Sequence, residues 1–261
     1  MNPAVDVIPD IQSSTDHRRL AIQRVGIKSL RYPLRVRMAD GSEQATVAVV
    51  DADVALPAEK KGTHMSRFVE VLDAIDGALD HAALQQLARG MCARLGAQRA
   101  RLALRFPLFL RKRAPVSGVS SLMDYEAEWI CEVDGDDARV VAKVRVPVKA
   151  LCPCSKEISE FGAHNQRSHI TVSARLDSAL PFERMIRIAE DEASCELWGL
   201  LKRPDEKYVT ERAYHNPKFV EDLVRDVAAR VRVEPGVAGY VVEAENFESI
   251  HNHSAYARIE G

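Results

Sequence analysis

The sequence predicts an α+β protein built from two ββααββ modules, with antiparallel sheets and paired helices. Three observations support this prediction. Stretches of alternating apolar and polar residues come in pairs, helical periodicity fills the segments between the pairs, and the order occurs twice in 261 residues. Strand pairs covered by helices on one face form α+β domains. The halves share a pattern rather than residue identity, so the predicted repeat is structural. One continuous mixed sheet is the alternative.

The first module is predicted over residues 24–135, after a polar N-terminal arm over residues 1–23. Strand-like alternation runs through VGIKSLRYPLRVRM and EQATVAVVDADVAL, which an Asp-Gly turn joins. Helical spacing follows in SRFVEVLDAID and HAALQQLARGMCARLG, where Gly96 is placed to cap the second helix. The segments RARLALRFPLFLRKR and MDYEAEWICEVDG then return to the alternation of strands.

The second module is predicted over residues 136–261, with the boundary near Asp134–Asp137. Its strands are ARVVAKVRVPVKAL, HITVSARLD, GYVVEAENF and SAYARIE, and its helices are PFERMIRIAEDEASCELWGLL and PKFVEDLVRDVAARV. Asn216 and Pro217 are predicted to start the second helix, as N-cap and first helical residue. The stretch KRPDEKYVTERAYHNP between the helices is predicted to be a loop.

Composition excludes several classes of protein. A net charge of −2 argues against a general nucleic-acid binder and against a polybasic membrane binder. No apolar run is long enough for a transmembrane helix, and the N-terminus lacks the apolar region of a secretory signal. Five cysteines form an odd, sparse set, which favours reduced thiols in the cytoplasm over a disulfide framework.

Two cysteines carry the first hypothesis about chemistry. Cys152 and Cys154 lie in LCPCSKEISEFGAHNQRS, and Pro153 favours an extended conformation at Cys152. In an extended chain these two side chains share a face, with sulfurs roughly 6–7 Å apart. Two thiolates on one tetrahedral metal lie closer than that. The spacing therefore predicts one metal ligand and one neighbour, and two inert buried thiols are the alternative.

His164 and a carboxylate complete a possible ligand set. The segment SKEISEFG is predicted to form one or two helical turns that end at Gly162 and fold His164 back toward Cys152. Thiolate, imidazole and carboxylate are the ligands that proteins offer to zinc and similar metals. Glu206 and Glu211 are the candidates for the third ligand, and spacing alone does not choose between them.

Three further residues are candidates for substrate recognition and proton transfer. Glu221 has two oxygens that could accept two parallel hydrogen bonds from the edge of a heterocycle. His251 and His253 alternate in a strand-like stretch and are predicted to point the same way, and an imidazole exchanges protons near pH 7. A solvated surface side chain is the alternative for each. The chain contains no GxGxxG, GxxxxGK[ST], HExxH or GxSxG motif.

Six segments in order resemble the type IB GTP cyclohydrolase I family over nearly the whole chain. They are DIQ (10–12), VGI (25–27), GTHMSRF (62–68), KRAPVSGVSSLMDY (112–125), CPCSKEISEFGAHNQRS (152–168) and ENFESIHNHSAYA (245–257). The resemblance implies a tunnelling fold (T-fold) with two modules per chain, and a homotetramer with active sites at subunit contacts. It implies conversion of GTP and water to formate and 7,8-dihydroneopterin triphosphate, the first step of folate biosynthesis.

The resemblance also implies roles for individual residues. Cys152, His164 and Glu206 correspond to ligands of a divalent metal, which is zinc, manganese or iron in the family. Glu221 corresponds to the residue that anchors guanine, and His251 to an acid/base group.

The chemistry of the residues agrees with these roles. Opening the imidazole ring of guanine requires a hydroxide equivalent and proton transfers, for which His251 and the thiol of Cys154 are candidates. The triphosphate requires cations or backbone N–H groups. The helix that GTHMSR begins places His64 and Ser66 where phosphate oxygens bind well. The basic candidates, each with a solvated surface residue as the alternative, are Lys60, Lys61, Arg67, Arg111, Lys112 and Arg113.

Two rival functions remain open from the sequence. One is a nitrile reductase on the same fold, which attacks its substrate with a cysteine and uses NADPH. The other is a non-enzymatic metal-binding protein.

Overall fold

The computed structural model describes residues 10–261, which contain nine strands and six helices. In chain order these elements are β1 (Ile22–Arg37), β2 (Glu43–Leu56), α1 (Ser66–Asp73), α2 (His81–Leu95), β3 (Arg99–Arg113), β4 (Ser120–Asp134), β5 (Asp137–Leu151), α3 (Pro153–Ile158), β6 (Asn165–Leu176), α4 (Phe182–Glu192), β7 (Cys195–Glu196), α5 (Arg203–His215), α6 (Val220–Val231), β8 (Val237–Asn246) and β9 (Ala255–Glu260). Residues 1–9 of the predicted N-terminal arm lie outside the described part.

The strands form a single antiparallel sheet in the order β1-β2-β3-β4-β5-β6-β8-β9, and β7 pairs with β5. The predicted ββααββ order holds in both halves, and α3, β7 and α5 are additions to the second half. The halves join through β4 and β5, where Asp134 pairs with Asp137 in the connecting turn. The alternative of one continuous sheet is right about continuity and wrong about mixed strand directions. Because the sheet runs through the boundary, the division at residues 135/136 stays a prediction.

One face of the sheet carries the core. Alternate residues of β5 from Val140 to Val148 are fully buried, as a strand with one covered face requires. Helix α2 packs on β3, β4 and β5, α4 packs on β5, and α6 packs on β8 and β9. The opposite face carries cross-strand ion pairs such as Arg105 with Asp51 and with Glu128.

Three aromatic side chains tie the two halves together on the covered face. Phe106 of β3 and Trp129 of β4 have ring centroids 5.5 Å apart, and Phe182 of α4 lies 5.9 Å and 5.2 Å from them. All three are buried. Tilted and edge-to-face aromatic contacts of this kind contribute more to stability than the apolar area that they bury accounts for.

The end of α2 follows the predicted signal, and its start has a cap that was not predicted. Asp80 accepts a hydrogen bond from the N–H of Ala83 at 2.9 Å, and Gly96 ends the helix with a left-handed φ of 60°. Gly41, in the predicted turn between β1 and β2, also has a positive φ. The predicted cap at Gly96 and the predicted Asp-Gly turn are confirmed, and both depend on residues close in sequence.

The second half departs from the prediction between Phe182 and Asn216. The predicted long helix ends at Glu192, and Cys195 and Glu196 form β7 against β5. The predicted loop after it is α5, a helix with Pro204 in its first turn and a buried face that includes Val209 and Ala213. Charged residues dominate this segment, and its two buried apolar residues gave too weak a periodicity to predict a helix.

The start of α6 was also predicted wrongly. Asn216 ends α5, and its side-chain amide donates to the carbonyl oxygen of Ala193 at 2.9 Å instead of capping a new helix. Helix α6 starts at Val220, and the N–H of Phe219 donates to Asp222 at 3.0 Å. Glu221 therefore lies in the first turn of α6.

Within the described residues no helix is long and apolar enough to cross a membrane. The five cysteines are all free thiols.

Candidate active site

The backbone brings Cys152 and His164 together. The N–H of Cys152 donates to the carbonyl oxygen of His164 at 3.1 Å. The hydroxyl of Ser155 donates to the carbonyl oxygen of Cys152 at 3.2 Å and accepts from the N–H of His164 at 3.1 Å. The predicted return of His164 to Cys152 is therefore confirmed, and Ser155 bridges the two residues.

Cys154 does not share a face with Cys152 in the way predicted. Cys152 is extended, as expected, with φ −71° and ψ 120°. Helix α3 begins at Pro153, because proline suits the first helical position, and Cys154 is then an exposed helical residue. The two side chains leave from different backbone conformations, so the strand geometry predicted for them is wrong.

The imidazole of His164 is oriented by neighbours on its Nδ1 side. Nδ1 lies 3.2 Å from Oε1 of Gln166 and 3.9 Å from Oε2 of Glu248. His164 is half-buried, and Gln166 is buried. A partner at Nδ1 selects the tautomer of a histidine and leaves Nε2 for a ligand.

The segment 247–254 contacts His164 through Glu248 and carries two more histidines. Glu248, which approaches His164, belongs to this segment, a loop between β8 and β9 rather than the predicted strand. The rings of His251 and His253 are exposed and stack at 5.2 Å with an interplanar angle of 16°. They point the same way, as predicted, although the loop and not strand alternation causes it.

Helix α5 packs beside the same pair. Val209 and Ala213 form a small buried cluster with Leu151 and Cys195, and Ala163 packs against this cluster. Leu151 precedes Cys152 and Ala163 precedes His164, so α5 lies beside the backbone of both candidate ligands. Glu206, in the first turn of this helix, is exposed.

The donor chemistry of Cys152 and His164 fits a divalent metal, since a thiol and an oriented imidazole belong to two half-buried residues whose backbones are hydrogen-bonded. Within residues 10–261, however, no three His, Cys, Asp or Glu side chains are grouped so that they could hold a metal ion. The carboxylates of Glu206 and Glu211 do not complete such a group. The third ligand therefore stays a prediction.

Asp205 is a buried carboxylate that the sequence reasoning did not single out. Its Oδ1 accepts from the N–H groups of Val116 and Ser117, each at 2.8 Å. Its Oδ2 accepts from the hydroxyl of Ser117 at 2.6 Å and from the N–H of Lys202 at 2.8 Å. Burial opposes ionisation, but the hydrogen bonds from Ser117, Lys202 and Val116 outweigh it and hold the pKa of Asp205 well below its usual range.

Lys112 is occupied within its own chain. Its ammonium lies 2.6 Å from Glu190, 2.6 Å from Glu196 and 2.7 Å from the carbonyl oxygen of Leu197. Burial raises the pKa of Glu190, which also accepts from the hydroxyl of Tyr125. Because an ammonium has three hydrogens, these contacts leave none for a phosphate, contrary to the predicted role of Lys112.

The other predicted substrate residues lie on two helix starts. Ser66 is the first residue of α1, and the N–H of Arg67 donates to the carbonyl oxygen of His64. Nε2 of His64 lies 3.2 Å from Asp10. Glu221 is exposed in the first turn of α6.

Comparison with known proteins connects this site to a family. A family model described as type I GTP cyclohydrolase folE2 matches residues 8–257. A relative from Bordetella avium, called GTP cyclohydrolase FolE2, is 60% identical over 262 residues, which cover 100% of this chain and 98% of the relative. A relative of the same name from Burkholderia thailandensis is 59% identical over 260 residues, covering 100% and 96%.

The chain belongs to the FolE2 family of type I GTP cyclohydrolases.

Solved structures connect the fold to a different group of proteins. A hyperthermostable mutant of the urate oxidase of Bacillus sp. TB-90 has a TM-score of 0.53 and 10% identity, covering 92% of this chain and 98% of that one. A highly active mutant of the same enzyme has a TM-score of 0.53 and 10% identity, and the match covers 92% of this chain and 99% of that one. At this identity the likeness concerns the fold alone. This FolE2 chain therefore has the predicted tunnelling fold.

Four residues that make contacts in or beside the candidate site of this FolE2 chain were not predicted from the sequence. They are Ser155, Gln166, Asp205 and Glu248. Ser155 and Gln166 could have been found, because their hydrogen-bond partners Cys152 and His164 lie close to them in sequence. Asp205 and Glu248 act on partners distant in sequence, and no local pattern marks them.

Proposed function

We propose that this chain is a GTP cyclohydrolase I that converts GTP and water to formate and 7,8-dihydroneopterin triphosphate, the entry step to folate. The observation that supports it best is the match to FolE2 proteins over the full chain, at 60% identity. The backbone pairing of Cys152 and His164 supports it further, because their motif is one that carries the resemblance. The two halves on one sheet support the bimodular type IB form.

The proposed metal ligands are Cys152, His164 and Glu206. The first two are supported by their proximity, and Glu206 by its place on the helix that packs beside them. Held by these residues, a divalent metal (zinc, manganese or iron by the family resemblance) would supply the Lewis acidity that makes water a hydroxide equivalent near neutral pH.

Recognition of guanine is assigned to Glu221. Guanine presents N1–H and its 2-amino group as neighbouring donors, and an ionised carboxylate only accepts. The exposed position of Glu221 in the first turn of α6 leaves its oxygens available to a ligand. Proton transfer to the opening ring is assigned to His251, with the exposed thiol of Cys154 as the second candidate.

Binding of the triphosphate is assigned to the start of α1, with His64, Ser66 and Arg67, and to nearby cations. Lys60, Lys61, Arg111 and Arg113 remain candidates. Lys112 is not among the proposed triphosphate ligands, because its ammonium already contacts three oxygens of the chain.

We also propose a homotetramer with active sites at subunit contacts. Ile158 and Phe161 lie on the segment between Cys152 and His164, and they are 85% and 96% exposed in the single chain. Contiguous exposed apolar patches mark surfaces that a partner covers, and these two large side chains lie three residues apart on one short segment. A second subunit could supply groups that the single chain does not bring to the metal ligands.

Formate release from GTP tests the proposal. Protein prepared separately with Zn²⁺, Mn²⁺ and Fe²⁺ is expected to release formate with at least one metal, and Cys152→Ala is expected to abolish it. Cys92→Ala is the matched control, since it removes a buried thiol from α2 of the first half and is expected to leave turnover unchanged. No formate with any of the three metals would refute the function.

A further inference from the structure

The tip of the β3–β4 hairpin, residues 113–119, belongs to the first half of the chain but is seated on the second half. The indole N–H of Trp198 donates to the carbonyl oxygen of Arg113 at 3.0 Å. Gly199 approaches β4 so closely that a Cβ there would lie 2.5 Å from the carbonyl oxygen of Leu122. Lys112, next to this tip, is held by Glu190 and Glu196.

Asp205 also contacts the hairpin tip, and it is fully buried. It has no exposed surface, and its two oxygens accept four hydrogen bonds of 2.6–2.8 Å. Three of the donors belong to Val116 and Ser117 in the hairpin tip. The fourth is the N–H of Lys202, at the start of α5. One carboxylate therefore joins the tip to the first turn of α5.

The same turn carries Glu206, the residue after Asp205. The C-terminal half of α5 is fixed separately, through Val209 and Ala213 against Leu151 and through the ammonium of Lys156, which donates to the carbonyl oxygen of Tyr214 at 2.7 Å. Asp205 thus ties the N-terminal end of α5, which carries Glu206, to the hairpin tip.

We propose that Asp205 is a positioning residue, which holds the hairpin tip on the start of α5 and thereby places Glu206 relative to Cys152 and His164. This inference rests on the proposed function, in which Glu206 is a metal ligand. Residues hydrogen-bonded to a metal ligand change metal affinity by about 10- to 100-fold when substituted. Asp205 acts on Glu206 through the helix turn that they share, and we expect an effect in the same range.

Asp205→Asn tests the proposal with little change in volume. It replaces one acceptor oxygen by an NH₂ group. Placed toward Lys202, this group opposes the backbone N–H of Lys202, while the hydroxyl of Ser117 can turn to accept from it; placed toward the tip, it opposes the N–H groups of both Val116 and Ser117. We expect Zn²⁺ affinity, measured by competition with a chelator, to fall by about 10- to 100-fold. Hydrogen exchange of the peptide that covers residues 114–119 is expected to become faster.

Asp222→Asn is the matched control. Asp222 accepts from the N–H of Phe219 in the first turn of α6, which is the helix-start contact that Asp205 makes with Lys202. It is expected to leave Zn²⁺ affinity and exchange in the hairpin tip unchanged. Equal losses of affinity in both variants would show a general effect of weakened helix starts and would overturn the proposal.

A double variant tests the route through Glu206. Once Glu206→Ala has removed the ligand, adding Asp205→Asn is expected to cause no further loss of Zn²⁺ affinity. A purely structural role predicts additive losses, and additivity would overturn the proposal. So would an Asp205→Asn variant that binds Zn²⁺ as tightly as the parent. A parent that neither binds a metal nor releases formate refutes the proposed function itself, together with this role.

Discussion

At the scale of single residues, the two cysteines of the CPC motif have different surroundings and are expected to behave differently. Cys152 is half-buried, and its backbone pairs with His164, whereas Cys154 is exposed on α3. Cys152→Ala should abolish metal binding, and Cys154→Ala should retain the metal. Metal content per chain after gel filtration measures both. Equal loss in the two variants would mean that Cys154 is a ligand as well.

Glu221→Gln tests the proposed recognition of guanine. The substitution replaces one acceptor oxygen by an NH₂ group that faces a donor of the base. Loss of one partner of a charged hydrogen bond that is buried in the complex costs about 2–5 kcal/mol, and ~1.4 kcal/mol is a factor of ten. Bound guanine would bury the carboxylate of Glu221 in this way. We therefore expect kcat/KM for GTP to fall by at least about tenfold with metal content unchanged.

ITP serves as the control substrate, because it lacks the 2-amino group. It should be a poor substrate for the parent and should lose less than GTP on Glu221→Gln. If both substrates lost the same factor, or if the variant lost its metal, Glu221 would be a structural residue or a ligand.

At the scale of elements, an irregularity in the edge strand β1 depends on one buried carboxylate. The register with β2 shifts between Ile27 and Leu30, and Ser29 takes a positive φ of 59°. Asp51 accepts from the N–H of Ser29 at 2.8 Å and from Arg105 at 2.9 Å. Burial opposes ionisation of Asp51, but the contacts with Ser29 and Arg105 outweigh it and lower its pKa.

This contact predicts a pH-dependent stability. A carboxyl whose pKa is lower in the folded state stabilises the fold above its unfolded pKa of ~4, and the contribution disappears as the pH falls. The free energy of unfolding of the parent should exceed that of Asp51→Asn at pH 7, and the difference should shrink from about pH 4 downward. Urea unfolding at several pH values measures it. A difference that does not change with pH would contradict the prediction.

At the scale of the whole molecule, the two halves depend on a shared core. Phe182 of α4 is buried against Phe106 and Trp129, which belong to strands of the other half. Phe182→Ala should lower the free energy of unfolding by about 3–5 kcal/mol, because it leaves a cavity in this contact.

Chemical denaturation followed by circular dichroism measures the effect of Phe182→Ala. Phe109→Ala is the control: this side chain is exposed on β3, so its loss should cost clearly less. A single cooperative transition is expected for the parent, since one sheet runs through both halves. Two separate transitions would show that the halves unfold independently.

The sequence by itself determined the features whose causes are local. Alternation predicted the long strands, the Asp-Gly turn marked the end of β1, and Gly96 marked the end of α2. The order of elements predicted ββααββ twice. The return of His164 to Cys152 was also predictable, because the intervening segment is short and contains a turn of helix. In each case the residues that decide the conformation lie within about a dozen positions of one another.

The tertiary structure alone decided the features whose partners are distant along the chain. Helix α5 has two buried apolar residues and many charged ones, and it is fixed by Leu151 on one side and the hairpin tip on the other. Asn216 was predicted to start a helix, but its side-chain amide donates to the carbonyl oxygen of Ala193, 23 positions away. No local pattern marks Asp205 as buried, because its partner Ser117 lies 88 positions away along the chain. A buried polar group must find a partner, and only the folded chain determines which one is in reach.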